Sequence, residues 1–195
     1  RGTPLALEVV VTEEPLTATE AMLHLRVTAT DEDELIRRLV GAARRHCEQV
    51  EGRAYLDTVF ELRTDQFPSG AGALALPRPP LRSVTSIRYI DTTGATATMT
   101  ATDYTVDAYS TPARVVPAYG TYWPATRDQP NAVVVEYHAG FGTRAEDVPE
   151  DRKAAMLLLV GHWYANRENV VVGTITSKVQ DTVDALLGMN KGSYL

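Results

Sequence analysis

Glu150-Asp151-Arg152-Lys153-Ala154-Ala155-Met156-Leu157-Leu158-Leu159-Val160-Gly161-His162-Trp163-Tyr164-Ala165-Asn166-Arg167-Glu168 is the stretch that decides the fold. Pro149, just before it, suits a first helical position, and Glu150 and Asp151 put negative charge at the positive end of the helix dipole. Between Ala154 and Ala165 only His162 is clearly polar. A surface helix needs one apolar stripe, whereas this one is apolar around most of its circumference. It is therefore either central to its own core or packed on neighbouring subunits as well. The run is too short, and too closely flanked by charge, for a membrane span.

Two earlier stretches offer packing partners. Thr17 or Thr19 caps a short helix from Glu20 to about Leu25, with Glu20 as the capping-box partner of Thr17. Thr30 caps a longer helix whose first turn, Asp31-Glu32-Asp33-Glu34, is again acidic. Leu35, Ile36, Leu39, Val40, Ala43, Cys47 and Val50 then recur at three- and four-residue spacing, and Gly52 is the natural stop. The stripe expected to face the 149–168 helix is Leu35, Leu39, Ala43, Cys47 and Val50.

Between these helices the pattern changes. Val59-Phe60-Glu61-Leu62-Arg63, Val84-Thr85-Ser86-Ile87-Arg88-Tyr89-Ile90, Tyr104-Thr105-Val106-Asp107 and Ala132-Val133-Val134-Val135-Glu136-Tyr137 read as strands, and Asp91-Thr92-Thr93-Gly94 as a hairpin turn. Period-two strands at this spacing indicate a small antiparallel sheet, sandwich or barrel. Residues 5–12 read as a strand or extended arm. The uncharged, β-prone run Val170-Val171-Val172-Gly173-Thr174-Ile175-Thr176 needs a partner if it is not to aggregate, and a short helix near Asp184 precedes an apolar tail. Helices, then strands, then a helix make an α+β fold: a small helical bundle with an inserted antiparallel β module and an extended C-terminal arm. The expected divisions are 1–14, an N-terminal strand or arm; 15–55 with 148–168, the helical core; 56–147, the β module; and 169–195, the C-terminal arm.

Composition narrows the function. The chain has 195 residues and a net charge of −6, which argues against tight non-specific nucleic-acid binding. Its single cysteine, Cys47, permits no intrachain disulfide and reads as a buried structural thiol. No catalytic, cofactor-binding or metal-ligating set is expected. Ser69-Gly70-Ala71-Gly72 lacks the strand-to-helix context of a phosphate loop, and His24, His46, His138 and His162 are not at zinc-like spacing. Asp103, Asp107, Asp147 and Glu150 are explained as turn and helix-start residues. Tyr119, Tyr122 and Trp123 have the look of a sugar-binding loop, but a loop packing on the β module explains them better.

The ordered set of motifs resembles a known family. Pro15-Leu16-Thr17 with Glu20-Ala21 and His24-Leu25-Arg26-Val27, Asp31-Glu32-Asp33 with Leu35-Ile36 and Leu39-Val40, and Glu51-Gly52-Arg53-Ala54 come first. Pro80-Leu81, Ile87-Arg88-Tyr89, Tyr104-Thr105-Val106-Asp107, Trp123-Pro124, Val133-Val134-Val135-Glu136-Tyr137 and Ala139-Gly140-Phe141-Gly142 follow. Val148-Pro149, Ala154-Ala155 and Trp163-Tyr164 with Asn166-Arg167-Glu168 close it. Together they resemble the head–tail connector (adaptor) proteins of long-tailed bacteriophages and phage-like gene transfer agents, in the subgroup with a β insertion.

The resemblance implies a non-enzymatic virion protein of the head–tail junction, assembled in the bacterial cytoplasm, with no cofactor and no membrane. Its subunits would form a ring, usually a dodecamer, below the portal protein. The ring would extend the channel through which double-stranded DNA passes without specific binding, and would offer a docking surface to a stopper or tail-terminator protein. Expected subunit-interface residues are Arg37, Arg38, Arg44, Arg45 and Glu48, some of them paired within the helix, with Trp163, Tyr164 and Arg167. Expected portal-docking residues are Val170, Val171, Val172, Ile175, Leu186, Leu187, Met189, Tyr194 and Leu195. The alternatives are a ligand- or carbohydrate-binding β module using Tyr119, Tyr122 and Trp123, or a hydrolase built on scattered acids and His138.

Overall fold

The computed structural model describes residues 5–9, 13–28, 30–166 and 177–188. The chain divides into two compact units, a β unit of residues 1–11 and 52–143 and a helical unit of residues 12–51 and 144–195.

The helical unit is built as the capping signals dictate. Helix α1 (Ala18–Leu25) is capped by Thr17, whose Oγ1 accepts the Glu20 N–H at 3.1 Å while Glu20 Oε2 accepts the Thr17 N–H at 2.7 Å. The Thr17 backbone N–H, with the Thr17 hydroxyl adding to it, holds the Glu20 carboxyl below its ordinary range. Helix α2 (Asp33–Glu51) follows a 3-10 turn at Thr30–Glu32 and stops at Gly52, whose φ of +66° suits a residue without Cβ. Its buried seam is Ile36, Val40, Ala43 and Cys47. Ala43 and Cys47 of the expected stripe are buried, but its ends are not: Leu35 is exposed, and Leu39 and Val50 are half-buried.

Helix α3 (Glu150–Ala165) is the quoted stretch, and it packs against α1, α2 and the last helix, α4 (Ser177–Leu186). Three neighbours explain an almost all-round apolar helix, which is central to its own core. Ala155, Met156, Leu159, Val160 and Trp163 are buried, and Lys153 reaches out from the same core to Glu150 at 2.9 Å. Pro149 is the N-cap rather than the first helical residue, since its ψ of 143° is extended. The C-terminal helix begins at Ser177, ahead of the expected place, and Val183 and Leu187 are buried.

The β unit holds two antiparallel sheets. One has strand order β1-β2-β8-β4-β5, from β1 (Leu5–Val9), β2 (Thr58–Thr64), β4 (Leu81–Ile90), β5 (Thr96–Thr98) and β8 (Val133–Ala139). The other is β3-β7-β6, from β3 (Leu74–Leu76), β6 (Tyr104–Asp107) and β7 (Ala113–Pro117). Alternation sets the faces: Val133, Val135, Tyr137 and Ala139 of β8 are buried, while Val134, Glu136 and His138 between them are only half-buried. Both sheets contribute to one core, in which Phe60, Leu62, Ile87 and Val135 meet Leu74, Leu76, Val115 and Trp123. The Asp91–Gly94 turn joins β4 to β5, with Asp91 Oδ1 accepting the Thr93 and Ala95 N–H groups at 2.8 and 3.0 Å.

Candidate assembly surfaces

On the helical unit, most of the charge expected at an interface is already engaged. Arg37 pairs with Asp33 at 2.5 Å and Arg38 with Glu34 at 2.9 Å, one turn away on exposed helix surface. Arg44 is different. Its side chain is only 12% exposed and lies between Glu14 at 2.6 Å and Glu48 at 2.8 Å. Burial opposes its charge, but the hydrogen bond to Glu14 and the field of both carboxylates outweigh it and raise the guanidinium pKa. Arg152 similarly joins Glu51 at 2.9 Å and Asp151 at 2.5 Å.

Trp163 is buried edge-on to His46, with ring centroids 6.0 Å apart, and Tyr164 donates its hydroxyl hydrogen bond to Glu32. Arg44, Glu48, Trp163 and Tyr164 therefore all have roles inside their own subunit, whereas Arg45 is exposed. Of the expected docking residues, Leu187 is buried in the helical unit and Leu186 half-buried. Arg167, Val170, Val171, Val172, Ile175, Met189, Tyr194 and Leu195 lie outside the described residues.

On the β unit, Trp123 is stacked on Phe67 with centroids 4.6 Å apart and an interplanar angle of 3°, and its Nε1 donates to the Gly72 carbonyl at 2.7 Å. With one face on Phe67, its polar edge on Gly72 and only 8% of its surface exposed, it has little left to offer as a sugar platform. Tyr119 and Tyr122, on the same loop, are exposed.

His138 Nδ1 lies 3.2 Å from the Asp57 carboxylate, and Arg82 lies 3.4 Å from it. The pair is tied into an ion cluster on the outward face of the first sheet. The four scattered acids do what turn and helix-start residues do. Asp103 accepts the Thr100 N–H, Asp107 the Tyr109 and Ser110 N–H groups, Asp147 the Arg144 N–H, and Glu150 pairs with Lys153.

The outward sheet face carries a second cluster that strand reading alone does not reveal. Buried Glu61 stands directly across from Glu136, with Arg63 at 2.5 Å and Arg88 at 3.9 Å from its carboxylate. Strand alternation places Glu61 and Arg63 on one face, but only the strand order β2-β8-β4 brings Glu136 and Arg88 beside them. Among the described residues no cluster of three metal-ligating side chains occurs, and no described helix is long and apolar enough to cross a membrane.

Comparison with known proteins agrees with this architecture. The chain is similar to a protein in a structure of the neck of an empty gene transfer agent particle, computed with C6 symmetry. Identity is 25%, the TM-score is 0.72, and the match covers 96% of this chain and 94% of that one. It is also similar to chains in the virion of a native gene transfer agent particle, at 20% identity and TM-score 0.71, and in a native particle neck computed with C12 symmetry, at 22% and 0.69; each match covers 94% of both chains. Among curated proteins no sequence matches. The family model of the head completion protein matches residues 15–182, which span α1 through most of α4. The expected head–tail connector resemblance holds: the chain belongs to the head completion protein family.

Proposed function

We propose that this chain is a structural, non-catalytic subunit of the head–tail connector of a phage-like particle, forming a ring at the neck. The observation that carries the reading is the family match across 15–182, joined to a likeness to a neck protein over 96% of the chain. The C6 and C12 symmetry of the two similar neck structures supports a ring of six-fold or twelve-fold order. In this reading the ring sits below the portal, carries double-stranded DNA through its channel and receives a stopper or tail-terminator protein on its far side. A net charge of −6 suits a channel that lets DNA pass without holding it.

The C-terminal stretch is the portal-docking arm in this reading, through Val170, Val171, Val172, Ile175, Met189, Tyr194 and Leu195. Leu187 serves the helical core instead. The test is electron microscopy of the purified chain alone and mixed with portal-bearing heads. Rings that cap the heads are expected. A chain terminated after Gly188 keeps every described helix and should form rings that cap heads poorly. Heads that take up tails normally in the absence of this chain would overturn the reading.

A further inference from the structure

The loop between β7 and β8 presents two tyrosines that the described residues leave largely uncovered. Tyr119 is fully exposed and Tyr122 is 75% exposed. The loop itself is fixed. Thr121 donates from its N–H at 3.0 Å and from its hydroxyl at 2.7 Å to the Ala118 carbonyl, closing a turn with Gly120 at φ +77°. Trp123 clamps the other end through Phe67 and Gly72. Rigid, exposed aromatic side chains lose little entropy when a partner buries them, which is how interface hot spots are built.

A closed ring with rotational symmetry joins two different patches of the same chain, so a knob used in that contact has its receiving surface on this molecule too. The β unit has one that fits. On the outward face of the first sheet is a hollow of about 370 Å³ lined by Arg63, Arg88, Gln129, Asn131 and Val134. Arg63 of β2 and Arg88 of β4 both pair in register with Val134 of β8, so the two arginines flank an apolar floor.

Neither guanidinium is used up. Arg63 gives its Nε–H to Glu61, Arg88 stays 3.9 Å from both Glu61 and Glu136, and their side chains are 52% and 44% exposed. A phenol ring suits this hollow, with its face against a guanidinium and its hydroxyl within reach of carboxylates and amides. The charges also match. Residues 99–105 and 118–126 contain no Lys or Arg, and exposed Asp103 lines one surface depression with Tyr122.

We propose that Tyr119 and Tyr122 of one copy of this chain seat in the Arg63–Arg88 hollow of the next, forming a β-unit contact around the ring. The proposal rests on the ring reading above, and the test separates the two. The full chain carrying Tyr119→p-benzoylphenylalanine is concentrated, irradiated and mapped by mass spectrometry, while sedimentation velocity follows its self-association. Crosslinks are expected to residues 88–96 or 129–134 of another copy. The double variant Tyr119→Ala with Tyr122→Ala should melt as the parent does, because it removes exposed side chains, yet self-associate about 30-fold more weakly or worse. If the parent assembles but the double variant assembles equally well, or the crosslinks fall elsewhere, this contact is wrong and the ring stands. If the parent stays monomeric up to its solubility limit and caps no heads, the ring reading fails and takes this contact with it.

Discussion

The two tryptophans, one in each unit, are buried to similar depth but hold their polar edges differently. Trp123 of the β unit, 8% exposed, gives its N–H to the Gly72 carbonyl and lies flat on Phe67. Trp163 of the helical unit, 4% exposed, stands edge-on to His46, and neither its Nε1 nor His46 Nε2 has a hydrogen-bond partner among the described residues. One indole ties a loop to a defined place. The other fills volume at the meeting of helices. The helical unit ties its charges into ion pairs such as Glu14–Arg44–Glu48, and so engages residues expected to meet a neighbour. The β unit pins its loop from within and leaves Tyr119 and Tyr122 outside.

The sharpest test of the helical half is removal of its last helix. Ending the chain after Glu168 uncovers the core that Val183 and Leu187 close, at about 1.5–3 kcal/mol for each buried aliphatic side chain. A loss of about 3–6 kcal/mol is expected in urea unfolding followed by Trp163 fluorescence, against almost none for termination after Gly188. Equal stability of the two truncated chains would mean that α4 is not part of this core.

Next comes the contrast between spent and unspent arginine. Arg44→Glu sets three carboxylates together where one cation joined two, and should cost about 3 kcal/mol, because a largely buried pair is broken and a like charge put in its place. Arg38→Glu alters a pair whose side chains are both more than half exposed, and should change stability by about 0.5 kcal/mol or less. Thermal unfolding of the two variants in parallel measures the difference. The outcome matters for assembly, because a variant at Arg44 that fails to form rings would report a damaged subunit rather than a lost contact.

The indoles themselves give a smaller and more direct comparison. Trp123→Phe leaves the Gly72 carbonyl without its donor and should cost about 2 kcal/mol. Trp163→Phe removes a donor without a partner among the described residues, so relief of that orphan offsets lost volume and the net change should be about 1 kcal/mol or less. Urea unfolding read by far-UV circular dichroism compares both variants on one scale. A larger loss at Trp163 than at Trp123 would invert the comparison.

Much of this fold was legible because local signals carried it. The Thr17–Glu20 capping box, the Gly52 stop, the acidic first turns and the alternation of β2, β4, β6 and β8 all appear where their residues predict. Strands β3, β5 and β7 were missed, because Leu74-Ala75-Leu76 and Thr96-Ala97-Thr98 are too short to show a period and Ala113-Arg114-Val115-Val116-Pro117 ends in proline. The seam of α2 was read correctly at Ala43 and Cys47, but its first half was misread by one residue for a physical reason. Leu35/Leu39 and Ile36/Val40 are equally apolar neighbours on the helix, and only the placement of α1 and α3 decides which pair turns inward.

The candidate surfaces were less legible still. Whether an arginine is free depends on partners 30 residues away, as Glu14 is from Arg44, and the Arg63–Arg88 hollow exists only once β8 lies between β2 and β4. Exposure of Tyr119 beside buried Trp123 follows from one turn at Gly120, which composition does not announce.

The smallest expected effect concerns the other exposed loop of the β unit, the β6–β7 tip that carries fully exposed Tyr109. Asp107 organises it, accepting from the Ser110 hydroxyl at 2.7 Å, from Arg114 Nε at 2.8 Å, and from the Ser110 and Tyr109 N–H groups at 3.2 and 3.1 Å. The Ser110 hydroxyl, then Arg114, hold its carboxyl down to about 2, from an ordinary 3.8. All these partners favour the charged form, so the folded pKa is depressed and the loop's stabilisation is fully present above pH 3.8. It is lost as the pH falls from there through about 2. Asp107→Asn should leave the loop insensitive over that window and free Tyr109 to move at neutral pH, while the Phe67–Trp123 stack stays in place. Amide chemical shifts of Tyr109 and Ser110 between pH 5 and 1.5, roughly the span over which such a carboxylate titrates, measure it. A midpoint near an ordinary aspartate value, or identical curves for the parent and Asp107→Asn, would mean that Asp107 does not order the tip, and that Tyr109, unlike Tyr119, is not held in a fixed place.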